Sequence, residues 1–356
     1  MRTTAWGPLA ILLGACSSSP AVPDGGGPGN DGGTGPDGSQ PADAGPSQDG
    51  GGASLASKYP GDKGIDKDPA VVWVENFEEG SVNGVTSRYD SANDPAGMTL
   101  TSDVPAKSSG AASMTLTASG DGANATDLYK SFATGYDEWY VRWYAKYQTG
   151  NVTWHHTGVW FGGYNPPSAW PNPQAGLKPN GDDRFSVSIE PVEDVGTGAA
   201  RFDTYDYWMQ MHSWMAQPSG STAYYGNALI HENAFKVDEG SWVCLEVHLK
   251  LNTDLASGAG AVLEVWKNDQ LVASFDQTGP KGYWIRDKFC TPAADGTECT
   301  QYPAPFDTVL DQQYRSVSAL KLNAFWPQNY ITAAGNTGDL HLDDMVIATQ
   351  RIGCLQ

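Results

Sequence analysis

The sequence of 356 residues is short of basic side chains and lacks both a long hydrophobic run and a helical pattern. Its 21 lysine and arginine residues face 41 aspartate and glutamate residues, which gives a formal net charge of −20. Such an acidic surface repels phosphate backbones, so nucleic acid is excluded as a partner. No segment reaches the roughly 20 apolar residues of a transmembrane helix. No segment of helical length shows a 3.6-residue apolar period, so a largely helical fold is excluded as well.

The N-terminus combines a basic start with a short apolar run. Arg2 precedes the apolar stretch 7–15, which is too short to span a bilayer and is typical of an export signal. The stretch ends in the letters LGAC, a lipobox pattern in which the Cys16 thiol would accept the lipid; an ordinary signal peptide is the alternative. Ser17 favours transport onward to the outer membrane. We expect residues 1–15 to be a lipoprotein signal peptide and the protein to be lipid-anchored at the outer membrane or cell surface.

Glycine, proline, aspartate and serine dominate residues 16–58, and large apolar side chains are almost absent there. Such a segment cannot bury enough surface to offset its chain entropy, so it is predicted to be a disordered tether. Residues 59–356 show no second low-complexity break and no internal repeat. They are predicted to form one domain, near the upper size limit for a single core. A tethered domain of this kind is expected to be a monomer.

Only five cysteines occur in the sequence. With Cys16 lipidated, four remain, an even number that suits an oxidising compartment. Three pairings are possible. Cys290 and Cys299 bracket a turn-rich stretch, so a local bridge between them is the most economical, which leaves Cys244 to pair with Cys354. The spacings do not match those of zinc sites.

Alternation of apolar and polar residues recurs along the folded part and predicts strands almost throughout. The segments that show it are 140–147, 184–190, 242–251, 261–266, 271–275, 320–325 and 340–348. Turn formers separate these segments, and Lys267-Asn268-Asp269-Gln270 between two of them predicts a hairpin. Many antiparallel strands in a chain of this size indicate an all-β fold, a two-sheet antiparallel jelly-roll sandwich.

Four segments resemble the concanavalin-A-like jelly rolls of extracellular polysaccharide lyases. They are Trp73–Gly80, Trp242–Asn252, Leu263–Val272 and His341–Thr349, which together frame the chain from about residue 71 to residue 354. The resemblance implies a sandwich with a groove for several sugar rings and an activity on polysaccharide. Fold-level likeness specifies the architecture better than the reaction.

A lyase that cleaves a uronate chain by β-elimination needs a group that neutralises the sugar carboxylate, a base and an acid. Tyr205 and Tyr207 share one face of a predicted strand, and Arg142 and Lys146 share one face of another. A lysine with a Tyr-x-Tyr pair resembles the family-14 type of alginate and glucuronate lyases, which implies Lys146 as neutraliser or base and a tyrosine as proton donor. The His155–His156 pair offers a base, a carboxylate partner or a structural loop closure. The candidate catalytic residues are Tyr205, Tyr207, Lys146, Arg142, His155 and His156.

Aromatic residues are abundant, with 13 Trp and 16 Tyr. Several lie in segments rich in proline and glycine, and aromatic rings at the rim of a rigid scaffold stack on the apolar faces of sugars. The long stretch 162–183 is predicted to wall the groove. The candidate substrate-binding residues are Tyr144, Trp160, Tyr164, Trp170, Arg184, Asn323 and Trp326.

Acidic residues cluster near both ends of the folded part. Glu75 and Glu78 near its start would meet Asp343 and Asp344 near its end if the first and last strands are neighbours, as in similar jelly rolls. Oxygen ligands of this kind suit calcium. These four residues are predicted to hold a structural Ca²⁺, the alternative being ordinary exposed carboxylates; no organic cofactor is expected.

Three functions remain compatible with the sequence. The favoured one is a lyase that acts on a uronate-containing polysaccharide. A non-catalytic, lectin-like polysaccharide-binding lipoprotein is the second, because no unmistakable catalytic motif is present. A glycoside hydrolase of the same fold is the third; it needs two carboxylates at the scissile bond. Glu190, Asp203 and Asp206 are its candidates.

Overall fold

The computed structural model describes residues 54–356 except 122–124, 151, 172–174, 194–199, 214–222, 233–234, 286–287, 291–307 and 310–311. The described residues belong to one compact unit, Gln48–Gln356. Within them, no helix is both long and apolar enough to cross a membrane. Cys16 and the predicted signal peptide lie outside the described residues, so the lipid anchor stays a prediction.

The first sheet has eight antiparallel strands in the order β12-β11-β10-β6-β17-β4-β3, with β1 also paired to β17. They are β1 (Val71–Glu75), β3 (Met98–Thr101), β4 (Ser113–Ser119), β6 (Glu138–Tyr147), β10 (Val243–Lys250), β11 (Val262–Lys267), β12 (Gln270–Phe275) and β17 (Thr337–Ala348). The first and last long strands of the domain are therefore neighbours, as expected for this class of jelly roll.

The second sheet has six antiparallel strands in the order β2-β5-β16-β7-β8-β9. They are β2 (Ser91–Asn93), β5 (Thr126–Tyr136), β7 (Gly158–Tyr164), β8 (Arg184–Glu193), β9 (Ala200–Thr204) and β16 (Leu322–Asn329). A small third sheet contains β13 (Lys281–Ile285), β14 (Lys288–Cys290) and β15 (Thr308–Val309). Helical structure in the described ranges is limited to α1 (Leu55–Lys58), α2 (Val82–Thr86) and the 3₁₀ turns Pro60–Asp62, Ile65–Lys67 and Pro95–Gly97. The predicted two-sheet antiparallel sandwich is confirmed.

The core lies between the two large sheets and follows the alternation of the sequence. Trp139, Val141 and Trp143 point into it from β6, and Phe161 and Val187 point into it from β7 and β8. Side chains of a strand alternate between its two faces. The residues between these therefore lie on the outer faces of the sandwich, and those of the six-stranded sheet form the candidate site described below.

The hairpin between β11 and β12 confirms the prediction made from its four turn residues. Lys267 pairs with Gln270, and the two residues between them, Asn268 and Asp269, have φ of 52° and 64°. Positive φ at both central positions is the type I′ arrangement, whose twist matches that of the flanking strands. Asparagine and aspartate tolerate it better than other residues with a side chain.

The predicted disulfide between Cys244 and Cys354 is present and ties β10 to the end of the chain across a sequence separation of 110 residues. Cys290 is also disulfide-bonded. Its predicted partner, Cys299, lies outside the described residues.

The folded part begins earlier than the predicted boundary at residue 59. Leu55 and Ala56 are buried, and their backbone N–H groups donate to the carbonyl oxygens of Arg351 and Ile352. Ser54 caps helix α1 by accepting a hydrogen bond from the Ser57 amide. The composition of the tether hid this turn, because a four-residue helix carries too few apolar residues to show a period.

His248, on the outer face of the eight-stranded sheet, sits between two carboxylates. Its Nε2 lies 2.8 Å from Glu138 Oε1 and its Nδ1 lies 2.7 Å from Glu264 Oε2. Burial would lower the pKa of His248, but the hydrogen bonds to Glu138 and then to Glu264 outweigh burial and raise it. A raised folded-state pKa stabilises the fold below the unfolded value and loses that contribution as the pH rises through the folded value.

We expect His248→Gln to lower the free energy of unfolding most below about pH 6.5, the ordinary histidine value, by an amount on the order of 1 kcal/mol because both carboxylates are partly exposed. The difference from the unmodified protein should shrink as the pH rises. Urea unfolding at mildly acidic and at alkaline pH measures it. An equal difference at both pH values would show that His248 is not charged in the fold.

Candidate functional site

The outer face of the six-stranded sheet carries a cluster of aromatic rings. It contains Tyr129 on β5, Trp160 and Tyr164 on β7, and Trp326 on β16. The Trp160 and Trp326 rings stack with centroids 5.8 Å apart. All four side chains are at most 6% exposed, and the Tyr129 hydroxyl donates to the Ser168 carbonyl oxygen at 2.8 Å. The predicted sugar-stacking residues Trp160, Tyr164 and Trp326 therefore lie together. With Tyr129 they form a covered layer, here called the floor, whose rings are not free to stack on a sugar.

At one end of this floor, four titratable side chains form a connected group, here called the titratable cluster: His156, Glu190, Tyr205 and Tyr207. His156 Nδ1 lies 3.2 Å from Glu190 Oε1. The ring centroids of His156 and Tyr205 are 4.4 Å apart, and those of Tyr205 and Tyr207 are 5.7 Å apart. Trp160 joins the cluster to the floor, with its centroid 5.9 Å from that of His156.

The sheet places the two tyrosines side by side because the chain continues along β8 after β9 ends. The Tyr205 amide donates to the Ser188 carbonyl oxygen at 3.2 Å, and Tyr207 and Ser186 exchange two backbone hydrogen bonds of 2.9 Å. Two residues apart on an extended chain, both rings fall on one face. Glu190 lies on the same face, two residues after Ser188. The predicted pairing of the tyrosines on one face is what the structure shows.

His156 is held in an unusual backbone conformation. Its φ of 53° lies in the left-handed region, which is sparsely populated by residues with a side chain and is often found at functional sites. The Gln328 side-chain amide donates to the His156 carbonyl oxygen at 2.7 Å and fixes it. Because the carboxylate of Glu190 only accepts, Nδ1 of a neutral His156 carries the proton and Nε2 is left as the basic nitrogen.

Both tyrosines of the cluster are neutral over the physiological pH range. Burial, followed by Tyr207, raises the pKa of Tyr205 far above its usual range, and burial raises the pKa of Tyr207 to about 12. The backbone amide of Gly226 opposes this by hydrogen bonding to both. A Cβ at Gly226 would lie 2.3 Å from the Tyr205 ring, so only glycine lets the chain approach this closely. Neutral phenols can donate protons, which suits an acid better than a base.

Arg184 and Asn323 line the far end of the cluster. Arg184 is 5% exposed, and its Nη2 donates to the Leu177 carbonyl oxygen at 3.0 Å. It interacts electrostatically with Tyr207. Asn323 is also buried, and it exchanges two hydrogen bonds of 3.0 and 2.9 Å with the backbone of Tyr164. Arg184 thus brings positive charge to the cluster, whereas the amide of Asn323 bonds the backbone of β7.

Two further predicted residues lie at the edge of this face. His155 is exposed, with its ring 3.9 Å from the ring of His156 and 5.6 Å from that of Tyr330. Trp170 is 55% exposed in the stretch that follows β7. Both side chains are accessible, and His155 lies directly against the titratable cluster.

The prediction that Arg142, Tyr144 and Lys146 join the tyrosine pair is wrong. All three lie on β6, in the eight-stranded sheet, and point away from the core on the opposite side of the sandwich. Lys146 forms an ion pair with Asp103, Arg142 with Asp62, and the Tyr144 hydroxyl accepts from the Leu355 amide. Alternation correctly put the three on one face, but the sheet to which β6 belongs is decided by its partners β10 and β17.

The four predicted calcium ligands are divided among different partners. Glu75 accepts from Arg88 and from the Phe77 amide, and Glu78 accepts from the amides of Ala111 and Ala112. Asp343 and Asp344 are adjacent and buried, with one unpartnered oxygen each and Arg142 nearby. No three His, Cys, Asp or Glu side chains of the described residues are grouped so that they could hold a metal ion. Calcium binding stays a prediction that this arrangement does not favour.

The carboxylates considered for a hydrolase do not form an accessible pair. Asp203 is completely buried and accepts from the amides of Leu229, Ile230 and His231. Asp206 is also completely buried, and burial raises its pKa well above the usual range. Of the three candidates, only Glu190 reaches the titratable cluster.

Sequence reasoning missed Gly226 and Tyr129 as neighbours of the site. Tyr129 lies on β5, and only the strand order, in which β16 lies between β5 and β7, brings it to the same face as Trp160. Glu190 had a usable signal. It ends a polar alternation with Arg184, Ser186 and Ser188 on a strand whose other face is apolar, and such a polar face lies at a surface or a site.

The sequence matches no protein-family model and no curated protein. Among solved structures, the chain is similar to a marine alginate lyase from Aplysia kurodai, with 11% identity, coverage of 79% of this chain and 99% of that one, and a TM-score of 0.49. It is similar to the alginate lyase vAL-1 from a Chlorella virus, with 10% identity, coverage of 79% and 100%, and a TM-score of 0.47. A laminarinase from a Flavobacterium species has 13% identity, coverage of 78% and 99%, and a TM-score of 0.36.

Proposed function

We propose that this protein is an extracellular polysaccharide lyase that cleaves a uronate-containing chain by β-elimination at the titratable cluster. The observation that carries the proposal is the contact between a carboxylate-oriented histidine and a neutral tyrosine pair. His156 Nδ1 lies 3.2 Å from Glu190 Oε1, which we infer holds the proton on Nδ1, and the ring centroid of Tyr205 lies 4.4 Å from that of the imidazole. A base and an acid are thereby placed next to each other on one surface, as an elimination requires.

In the proposed reaction, His156 Nε2 removes the proton on the carbon that bears the uronate carboxylate. The C–H electron pair forms the new carbon–carbon double bond, and the adjacent C–O bond of the glycosidic linkage breaks. Tyr205 donates its proton to the leaving oxygen, so the products are a free hydroxyl and an unsaturated uronate. The proton on His156 then returns to the Tyr205 phenolate. Arg184 supplies positive charge that stabilises the carbanion-like uronate in the transition state.

Hydrolysis is less well supported by the same geometry. A hydrolase needs two carboxylates that reach the sugar from either side, roughly 5–10 Å apart. Asp203 and Asp206 are both completely buried. Glu190 alone would have to serve as both groups.

A binding role is favoured by one observation, the exposed ring of Trp170. A lectin-like surface needs free aromatic platforms for sugars, and the floor rings are covered. Whether it is a lyase or a lectin-like protein, we propose that it acts at the cell surface through a lipid anchor at Cys16, as a monomer with polysaccharide as its partner.

The experiment is an incubation of the purified protein with alginate, glucuronan, pectate and glycosaminoglycans, in parallel with neutral laminarin. Elimination alone produces an ultraviolet-absorbing unsaturated uronate, whereas hydrolysis produces only new reducing ends. We expect the absorbance to rise with at least one uronate polymer and with no neutral one. New reducing ends without absorbance would establish a hydrolase. Binding to a polysaccharide without either product would leave the lectin-like function and would refute the lyase.

A further inference from the structure

Two chain segments meet at the edge of the outer face and carry its exposed apolar side chains. Gly176 and Tyr224 exchange two backbone hydrogen bonds, of 2.8 and 3.2 Å, so residues 175–178 run beside residues 223–227. Among the described residues, the large hydrophobic side chains with substantial exposure are Trp170 (55%), Leu177 (58%) and Tyr225 (37%). All three belong to these segments or to the stretch just before them. The apolar exposure of the domain is thus concentrated in one place.

Lys178 adds an unpaired positive charge to this edge. Its Nζ lies 5.8 Å from the centre of the Tyr224 ring, and no carboxylate of the described residues forms an ion pair with it. Five other lysines form ion pairs, namely Lys58, Lys130, Lys146, Lys267 and Lys321, whereas Lys67 on the surface, like Lys178, forms none among the described residues. The ammonium group of Lys178, which has no carboxylate partner among the described residues, can therefore bind an external anion.

His212 and Trp284 lie near this edge, where His212 interacts electrostatically with Lys178. The His212 ring stacks on the Trp284 ring at 3.9 Å with an angle of 13° between the planes. Asn227 fixes the backbone of His212, because its Oδ1 accepts from the His212 amide at 2.7 Å and its Nδ2 donates to the His212 carbonyl oxygen at 3.0 Å. The imidazole therefore has a defined position. Burial lowers the pKa of His212, and the nearby charge of Lys178 lowers it further.

The same segments lead directly to the titratable cluster. Asn227 and Asp206 exchange two backbone hydrogen bonds of 2.9 and 3.1 Å, and Gly226 packs against the ring of Tyr205. On the other segment, the Leu177 carbonyl oxygen accepts from Arg184. A polymer that binds at the cluster would therefore lie close to both segments, one of which carries Lys178 and the other Tyr225.

We propose that Lys178, Tyr225 and His212 form a second subsite, which binds the carboxylate and the apolar face of a uronate ring that flanks the bond to be cleaved. The proposal rests on the proposed function, because it takes the same polyuronate chain as its occupant. Lysine provides the point charge for the carboxylate, Tyr225 the stacking surface, and His212 a hydrogen-bonding ring. A polyanion that binds to a protein of net charge −20 needs local cations of this kind.

The test measures binding separately from turnover. Calorimetry with alginate and glucuronan oligomers would be carried out on the full chain carrying Tyr205→Phe, so that turnover during the titration is slow. We expect Lys178→Ala in this background to weaken binding about tenfold, the loss of one charge-assisted contact. Lys178→Arg should restore most of the affinity, and added salt should weaken binding less in Lys178→Ala than in its parent.

Lys67→Ala is the matched control, since Lys67 is exposed, forms no ion pair among the described residues and lies far from residue 178 in the chain. Its affinity should equal that of the parent. Equal affinities of Lys178→Ala and the parent would overturn the subsite even if the protein proves to be a lyase. Weaker binding in Lys178→Ala without turnover by the unmodified protein would keep the subsite and overturn the lyase. Absence of any polyuronate binding would overturn both.

Discussion

Tyr205→Phe is expected to lower kcat on a uronate polymer by about 10²–10⁴-fold, the usual contribution of a positioned acid. The substitution removes one oxygen and keeps the ring, whose contacts with His156 and Trp160 hold that side of the cluster. KM should change little, because the lost proton is needed only when the C–O bond breaks. The rate of formation of the unsaturated uronate measures the effect.

His156→Ala should cause a loss of similar size, since it removes the proposed base. If base and acid act in one step, the double variant should be scarcely slower than either single variant, because groups that act as a unit are not additive. Tyr144→Phe and Lys146→Ala are the controls. Both residues lie on the opposite side of the sandwich, so their kcat should stay within about twofold of the unmodified protein, less than 0.5 kcal/mol in activation free energy. A large loss in Lys146→Ala with an unaffected Tyr205→Phe would place the reaction on the other sheet.

The fold was largely predictable because its determinants are local. The alternation in β6 and β8 and the Asn268-Asp269 turn each constrain a short segment, and the structure agrees with both of them. These are patterns that a strand or a turn imposes on its own residues.

The site was predictable only in part, because it depends on which strands become neighbours. Tyr205 and Tyr207 are two residues apart, so strand periodicity was enough to place them on one face. Lys146 was assigned to the same site from a strand of the other sheet, since periodicity defines a face but not the partner of that face. Trp160 and Trp326 were correctly placed together, yet both rings are buried, and Tyr129 beside them donates a hydrogen bond to the Ser168 carbonyl oxygen. The periodicity of the sequence shows which face of a strand a side chain lies on, but not whether another segment of the chain buries that face.

Arg142→Leu is expected to destabilise the domain by about 3–5 kcal/mol, the cost of removing one partner from a buried ion pair. Arg142 is completely buried, forms an ion pair with Asp62 and interacts with Asp344. Without the guanidinium, these carboxylates would remain in a site that water does not reach. Part of the loss should be recovered in the double variant Arg142→Leu with Asp62→Asn, because one of the stranded charges is then removed as well.

Lys146→Ala provides the matched control for stability, since Lys146 lies on the same face of β6 but its pair with Asp103 is partly exposed. It should cost no more than about 1 kcal/mol. Urea unfolding of the three variants and the unmodified protein, in the presence of a chelator so that no bound cation contributes, gives the free energies. A loss below about 1 kcal/mol in Arg142→Leu would mean that the ion pair of Arg142 with Asp62 is not what stabilises this part of the fold.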